Sequence, residues 1–164
     1  MDEGKYGPLL RKDGVELLCL NMSAGKVSFS ALWSLFKYIR LIKPDVVQTW
    51  MYHADFLGGF LGKIFGIEVF WNIRHSTFSL RNDKFMTIII MLFNSILSYF
   101  IPSKIICCAH SAADVHQRLG YCVRKMLVIE NGVDVREYRP SFSSRLSFRQ
   151  THKIPDNEFL VGMV

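Results

Sequence analysis

The stretch KPDVVQTWMYHADFLGGFLGKIFGIEVFWNI, residues 43–73, decides the fold that the sequence predicts. Pro44 ends a helical pattern, a β-branched strand at 45–49 follows it, and a helix is predicted over about 55–66. A second apolar strand at 68–73 closes this unit. Two continuous apolar strands joined by a helix are typical of neighbouring parallel strands in a buried sheet.

The same alternation extends in both directions from this unit. Before it, VELLCL at 15–20 fits a buried strand, and apolar residues at steps of three and four predict an amphipathic helix over 29–42. After it come a helix near 84–100, a strand at 104–108, a helix near 111–119 and a strand at 126–130. The sequence therefore predicts an α/β fold with a doubly wound, Rossmann-like parallel sheet that helices cover on both faces.

The two ends of the chain read differently from this core. Residues 1–140 are predicted to form a Rossmann-like domain that lacks its first strand, because Met1 to Leu10 reads as the tail of a helix. Residues 141–158 read as a linker with one short helix around 143–153, and FLVGMV at 159–164 as the first strand of a further domain.

The charge balance favours an anionic partner. The chain carries 20 Lys and Arg against 14 Asp and Glu, which suits a phosphate ligand, a nucleic acid or a membrane surface without choosing among them. Four cysteines without a CxxC spacing argue against structural zinc and indicate a reducing compartment. The N-terminus has no secretory pattern, so a cytoplasmic protein is predicted.

The segment FMTIIIMLFNSILSYFI, 85–101, has 17 residues and no charge, which touches the lower limit for a membrane span. Its polar residues Thr87, Asn94, Ser95 and Ser98 argue against a span. We interpret it as a nearly buried helix, with a helix lying on a membrane surface and a true span as the alternatives.

Candidate site residues lie where the strands end, since ligands of open parallel sheets bind at the carboxyl ends of the strands. After the strand at 45–49, Trp50 and Tyr52 are suited to stack on a sugar or base, and His53 to donate to a hydroxyl or phosphate. The alternative for His53 is a solvated loop histidine. Asp55 could accept from hydroxyls, but we interpret it as the cap of its helix.

Three further features bear on the site. Arg74 and His75 follow the strand at 68–73, and Arg74 suits a phosphate or carboxylate unless it is an ordinary surface arginine. Asn131 and Gly132 form a tight turn after the strand at 126–130 and are a candidate hinge. Glycines 58, 59 and 62 lack the spacing of a phosphate loop and are better explained by close packing of helix on sheet. No metal site is predicted, because the histidines and cysteines match no zinc spacing.

The segments at 43–76, 105–140 and 154–164 together resemble a family 4 glycosyltransferase with two Rossmann-like domains, the GT-B type. The resemblance extends from about Gly4 to Val164, and the ENGVD turn with the passage to Pro140 is its more specific part. It implies a retaining, hexosyltransferase-type transfer of a sugar from a nucleotide sugar to a glycan or lipid-linked acceptor. It also implies bacterial surface polysaccharide or lipopolysaccharide synthesis at the inner face of the membrane, with peripheral membrane contact, without metal or other cofactor and without nucleic acid.

By position, the resemblance makes His53 the candidate catalytic contact to the reacting sugar. It makes substrate-binding residues of Trp50, Tyr52, Arg74, His75, Asn131 and Gly132. Many relatives have His-x-His where this chain has Gln48 and Trp50, and Ser-Glu where it has Ala109 and His110, so the catalytic histidine does not transfer directly.

The resemblance also predicts parts that the chain does not show. A first strand with a Gly-rich loop is expected before residue 1, and a donor domain with a Glu-x7-Glu pattern after residue 164, so the 164-residue chain is predicted to be inactive alone. Two rival hypotheses remain: a non-enzymatic flavodoxin-like module that binds a nucleotide or a protein, and a membrane-associated scaffold anchored by 85–101.

Overall fold

The computed structural model describes residues 4–20, 22, 28–76 and 85–161. The chain divides into two compact units, Met1–Asn131 and Gly132–Val164. In the first unit the elements are α1 (Gly7–Lys12), α2 (Phe29–Ile42), β1 (Val46–Trp50), α3 (Tyr52–Ile64), β2 (Glu68–Ile73), α4 (Phe85–Leu97), β3 (Lys104–Cys107), α5 (His110–Arg118), a 3-10 turn (Val123–Lys125) and β4 (Met126–Val128). The second unit contains α6 (Phe142–Thr151).

The four strands form one parallel sheet in the order β1-β2-β3-β4. Thr49 lies beside Trp71, Trp71 beside Ile105, and Ile105 beside Met126, so these side chains share one face of the sheet. Each connection passes through a helix or a helical turn, as parallel strands require. The predicted α/β fold with a parallel sheet is therefore confirmed.

One face of this sheet carries the core of the unit. Helix α3 packs on β1 and β2, α4 packs on α3, and α5 packs on β3 and β4. The residues that fill the space between strands and helices are apolar: Tyr52, Val69, Trp71, Ile73, Met91, Ile101, Ile105, Cys107, Ala112 and Tyr121. Burying this apolar area is the main free-energy gain of the fold.

The opposite face of the sheet is more open. Val46, Trp50 and Leu127 point to it and are each about half exposed, while Phe70 and Ile106 between them are partly buried. Among the described helices, α3 and α5 make the main contacts with the sheet, and α4 packs on α3. Within the described residues, the expectation that helices cover both faces of the sheet is therefore confirmed for one face only.

The predicted strand at 15–20 is wrong. These residues form no regular element, and Val15 and Leu18 are nearly half exposed. Within the described part of the chain, β1 pairs with β2 alone, so no ladder extends to this segment. An apolar run becomes a strand only where another strand supplies hydrogen bonds, which the sequence pattern does not report.

The second unit is described by itself. The predicted helix around 143–153 is confirmed as α6, whose first turn is capped by the Ser141 hydroxyl accepting from Ser144 N at 3.2 Å. The buried Arg149 donates to the carbonyl oxygens of Pro155 and Glu158. Residues 159–161 lie in no regular element and 162–164 lie outside the described residues, so the strand at 159–164 stays a prediction.

The glycines of α3 set its distance from the sheet. A Cβ at Gly59 would lie 2.6 Å from Trp71 Nε1, and one at Gly62 would lie 2.7 Å from Val69 Cγ2. A Cβ atom essentially never lies this close to a nonbonded heavy atom. The helix therefore approaches the sheet only because these residues lack a side chain. The expectation that these glycines serve packing is confirmed.

We expect Gly59→Ala to lower the free energy of unfolding by about 2 kcal/mol, because the added methyl overpacks against the rigid Trp71 ring. Gly58→Ala is the matched control, since its Cβ meets only the Thr49 methyl, at 3.1 Å, and alanine favours a helix by about 1 kcal/mol. Urea unfolding of both variants measures the difference. Equal stability of the two would contradict this account of the α3 packing.

Candidate functional site

The carboxyl ends of all four strands meet at one edge of the sheet, since the strands are parallel. Backbone hydrogen bonds continue past the strand ends there: Met51 N donates to Asn72 O at 3.3 Å, Cys108 N to Ile73 O at 3.3 Å, and Ile129 N to Cys107 O at 3.0 Å. These bonds hold the strand exits side by side. They continue the pairing of the sheet into the first residues of the loops.

Two predicted site residues meet at this edge. The exposed Arg74, after β2, donates from Nη1 to Asn131 Oδ1, which lies 57 positions further along the chain. Cys108 Sγ also donates to Arg74 O at 3.6 Å, which ties the exit of β3 to the same point. A guanidinium has five N–H donors, so one bond to an amide leaves it able to bind an anionic or hydroxyl-rich ligand. Gly132, the next residue, is exposed.

Tyr52 lies deeper than the sequence suggests. It is buried, and its hydroxyl lies 2.8 Å from Nε2 of the buried His116. His116 Nδ1 lies 2.7 Å from Ala112 O, so Nδ1 carries the proton and Nε2 accepts from the tyrosine. Burial lowers the pKa of His116, opposed by the Ala112 carbonyl and aided by the charge of His75. His116 is thus a neutral packing residue that fixes Tyr52.

His75 is the residue that links this buried pair to the edge. Its ring is partly buried and lies edge-on to Tyr52, with 6.3 Å between centroids. Tyr52 therefore reaches the edge through its contact with His75, while its hydroxyl points to His116. The substrate-binding role assigned to Tyr52 stays a prediction, but the structure shows a supporting position for this side chain.

Trp50 and His53 occupy two other environments. Trp50 is the last residue of β1, half exposed, on the open face of the sheet with Gln48 two positions before it. His53 is partly buried in the first turn of α3. The predicted set is thus distributed: Arg74, Asn131 and His75 stand at the exits of β2 and β4, Trp50 on the open face, and His53 on the helix.

Asp55 is a buried carboxyl and not a helix cap. Helix α3 begins at Tyr52, three residues before the predicted start, so Asp55 lies inside the helix and faces the sheet. Thr49 Oγ1 donates to Asp55 Oδ1 at 2.5 Å, and Oδ2 is buried without a hydrogen-bond partner. Burial raises the pKa of Asp55 to about 7, although the hydrogen bond from Thr49 opposes the shift. The predicted capping role is wrong.

Met51, between β1 and α3, has a backbone conformation that side chains rarely adopt, with φ 73° and ψ 154°. This region is essentially restricted to glycine, and a residue held there stores about 1–3 kcal/mol of strain. Such strain is found where function or packing fixes a loop. Here it lies between Trp50 and Tyr52, in the loop that the sequence singles out.

The sequence did not identify the buried polar residues as a group. His116, Asp55 and Asn94 all lie inside the helical layer. The sequence signal for this group is Asn94 within the uncharged 85–101 segment, which by itself argues only against a membrane span. Among the described residues, no group of three or more His, Cys, Asp or Glu side chains is placed to hold a metal ion.

Comparison with known proteins identifies the family of this chain. The sequence profile described as Glycosyltransferase Family 4 matches residues 7–137, which is most of the chain. The chain belongs to glycosyltransferase family 4. A search of curated protein sequences gives no significant match.

Solved structures of other proteins share this fold. HepE from Anabaena in complex with UDP matches with a TM-score of 0.71 and 18% identity, over 92% of this chain and 40% of HepE. HepE with UDP-glucose gives 0.69 and 17%, over 94% and 41%. A glycosyltransferase from Rickettsia africae gives 0.64 and 15%, over 94% and 40%. This chain therefore spans about 40% of the length of these structures, and the similarity shows a shared fold.

Asp55 generates a pH prediction. Its pKa is about 7 when folded and about 4 when unfolded, so its stabilising contribution is complete below pH 4 and is lost as the pH rises to 7. The loss is about 4 kcal/mol, at 1.36 kcal/mol per pKa unit. Asp55→Asn should remove this slope and be more stable than the wild type at pH 8. Urea unfolding from pH 4 to 8 checks it, with the exposed Asp114→Asn as control; parallel curves for Asp55→Asn and wild type would refute it.

Met51 generates a second prediction. Met51→Gly should raise the free energy of unfolding by about 1 kcal/mol, because relief of strain exceeds the backbone entropy cost of glycine. Met51→Ala is the control, since alanine keeps the Cβ that opposes this φ. Thermal unfolding of the three proteins measures the order. A Met51→Ala variant as stable as Met51→Gly would rule out backbone strain as the cause.

Proposed function

We propose that this chain is the acceptor-side domain of a retaining, hexosyltransferase-type glycosyltransferase. The observation that carries the proposal is the family 4 match over residues 7–137, whose sheet edge brings Arg74 to Asn131. In parallel α/β sheets this edge is where ligands bind. Arginine and amide side chains at a partly open edge suit the hydroxyl groups and anionic groups of a glycan acceptor.

The donor in this proposal is a nucleotide sugar. The HepE structures contain UDP and UDP-glucose, which supports a UDP-sugar as the first donor to test. This chain spans about 40% of those proteins, so we assign donor binding to the remainder of a longer protein and expect residues 1–164 alone to be inactive. Neither metal nor organic cofactor is part of the proposal.

The reaction breaks the bond between the anomeric carbon and the diphosphate oxygen and forms a bond from that carbon to an acceptor oxygen. The acceptor hydroxyl loses its proton, and the leaving diphosphate takes the electron pair and is the base that accepts the proton. Developing positive charge at the sugar and negative charge at the diphosphate both need electrostatic stabilisation. We assign His53 to contact the reacting sugar, and Trp50, Arg74 and His75 to the acceptor. Tyr52 supports His75, Asn131 accepts a hydrogen bond from Arg74, and Gly132 remains a predicted substrate-binding residue.

The acceptor in the proposal is a glycan or a lipid-linked saccharide of a bacterial surface polysaccharide or lipopolysaccharide. We place the reaction on the cytoplasmic side, at the inner face of the membrane, where such a lipid-linked acceptor presents its sugar. The net charge of +6 supports this placement, because acceptors and lipids of this class are anionic.

The test uses the full-length protein that contains this chain, with UDP-glucose and a lipid-linked oligosaccharide extract. His53→Ala should lower kcat about 100-fold with a small effect on KM, because a polar contact that stabilises the reacting sugar in the transition state is lost. Arg74→Ala should raise the acceptor KM about tenfold, because one charge-assisted hydrogen bond is lost. Arg118→Ala, an exposed cation at the far end of α5, is the matched control.

The anomeric configuration of the product distinguishes a retaining from an inverting reaction. Proton NMR of the new linkage should show the anomeric configuration of the donor, and an inverted product would exclude a retaining reaction. No sugar transfer with any nucleotide sugar, together with tight nucleotide binding by residues 1–164 alone, would instead favour the non-enzymatic flavodoxin-like module.

A further inference from the structure

Helix α4 and the turn that follows it direct their polar residues toward the core. Asn94, Ser95 and Ser98 are all buried. Asn94 Nδ2 donates to Tyr52 O at 2.8 Å, and Ser98 Oγ donates to Ser95 O at 2.6 Å and accepts from the backbone amide of Cys122 at 2.9 Å. These bonds fix the rotation of the helix about its axis, so its other side faces outward.

The outward side of α4 is apolar and has a heptad pattern. Five exposed residues follow one another in steps of four and three: Phe85, Ile89, Leu92, Ile96 and Tyr99. Three more flank them in steps of seven: Met86, Phe93 and Phe100. We call these eight residues, each between 43% and 76% exposed, the α4 seam. The expectation of a nearly buried helix at 85–101 is therefore wrong for this side of α4.

The spacing and the lack of charge in the α4 seam suit a protein partner. Apolar residues in alternating steps of four and three form a narrow stripe against which a second helix packs its own side chains. Helices that lie on a lipid surface combine their apolar side with lysines and arginines on the polar side, whereas residues 85–101 contain no charged side chain. No helix among the described residues is long and apolar enough to cross a membrane.

Helix α3 widens this surface. Phe56 and Phe93 lie with their ring centroids 5.8 Å apart where the two helices pack, and the exposed Phe60 and Ile64 follow Phe56 in steps of four along α3. Two heptads are too few for a coiled coil of isolated helices. A partner that packs on α3 and α4 together would form a four-helix arrangement, in which two helices of each protein bury their apolar sides.

The exposed area of this surface is large enough for a stable interface. The α4 seam together with Phe60 and Ile64 consists of large apolar side chains that are each about half exposed. With about 150–200 Å² for each side chain, they present roughly 800–1,000 Å² in total. A standard protein interface buries about 800 Å² on each partner. Two identical copies of this surface therefore supply the area that a stable dimer needs.

We propose that two copies of the chain form a two-fold symmetric dimer through the α4 seam, with their α4 helices antiparallel. An apolar surface without charges is complementary to itself, and two-fold dimers are the commonest homo-oligomers. Leu92 lies midway between Phe85 and Tyr99 in the sequence, so the two-fold axis passes near it. The dimer is independent of the sugar transfer proposed above.

Lys125 favours the antiparallel arrangement. Its Nζ donates to Tyr99 O at 2.7 Å, so a cation lies at one end of the α4 seam. In a parallel pair the two Lys125 side chains would lie close together and repel each other. In an antiparallel pair they lie at opposite ends of the seam, about 20 Å apart along the helix axis. That separation exceeds the screening length of about 10 Å in ordinary buffers, so their repulsion is weak.

Sedimentation velocity of the 164-residue chain over a range of concentrations tests the proposal. The wild type should form a dimer, and Leu92→Gln together with Ile96→Gln should raise its dissociation constant at least about 100-fold, because two apolar side chains of each copy leave the interface. Leu41→Gln is the matched control, since Leu41 is 79% exposed on α2, outside the seam. A monomeric wild type, or a double variant that dimerises as tightly as the wild type, would refute the proposal.

Charge complementation separates specific pairing from misfolding. Leu92→Glu with Ile96→Glu, and Leu92→Lys with Ile96→Lys, should each be monomeric, because like charges meet across the two-fold axis. An equimolar mixture of the two double variants should form a dimer with one copy of each, because opposite charges then meet. If the mixture stays monomeric although both variants show the circular dichroism of the wild type, the two seams do not face each other and the proposal is wrong.

The other possible occupants of the α4 seam give different results. The longer protein proposed above should dimerise as residues 1–164 do. If the longer protein is monomeric while the 164-residue chain dimerises, the rest of the longer chain covers the seam, which overturns the proposal. A wild-type chain that is monomeric and binds phosphatidylglycerol vesicles, with the binding lost in the double glutamine variant, would assign the seam to lipid and overturn it as well.

Discussion

The contact between Trp71 and the glycine surface of α3 is the constraint on which the rest of the first unit depends. Trp71 is fully buried at the centre of β2, and its indole occupies the space that a side chain at Gly59 would need. This contact brings α3 close to the sheet and places Tyr52 and Asp55, which share one side of the first helical turn, in the interior. The loop before α3 must then pass sharply from β1 into the helix, and Met51 takes the strained conformation. Packing at the centre of the sheet thus determines the geometry at its edge.

The same close packing leaves polar atoms without partners. Within the described part of the chain, Asp55 Oδ2, Trp71 Nε1, Asn72 Oδ1 and Asn94 Oδ1 are buried and make no hydrogen bond. Each such atom costs about 1–3 kcal/mol, which a domain of this size tolerates only when other contacts hold those residues in place. Three of the four, on Asp55, Trp71 and Asn94, belong to α3, to β2 on which α3 packs, and to α4, which packs on α3. The region that supports the candidate site therefore contains most of these buried polar atoms without a hydrogen bond. Such a local energetic cost is common at sites kept for function.

The sequence was sufficient for the elements and insufficient for their surroundings. The strand at 68–73 and the helices near 111–119 and 143–153 follow from apolar periodicity, since period and chain connection alone specify them. The segment at 15–20 has an equally apolar sequence, but whether it forms a strand depends on a partner strand, which is not a local property. The sequence misplaces both Asp55 and Tyr52 because α3 starts at Tyr52, three residues before the predicted start. A shift of three residues changes which side chains face the sheet. The positions of Arg74 and Asn131 at two strand ends follow from the sequence, but no sequence pattern reports the hydrogen bond between them.

Two apolar surfaces lie on opposite sides of the first unit, and their chemistry differs. The open face of the sheet carries Val46, Trp50 and Leu127 interspersed with Gln48, Glu68 and Lys104, so a polar, an acidic and a basic group interrupt it. The outward side of α4 has no such interruption: its exposed residues Phe85, Ile89, Leu92, Phe93 and Ile96 are apolar, because Asn94 and Ser95 face the core.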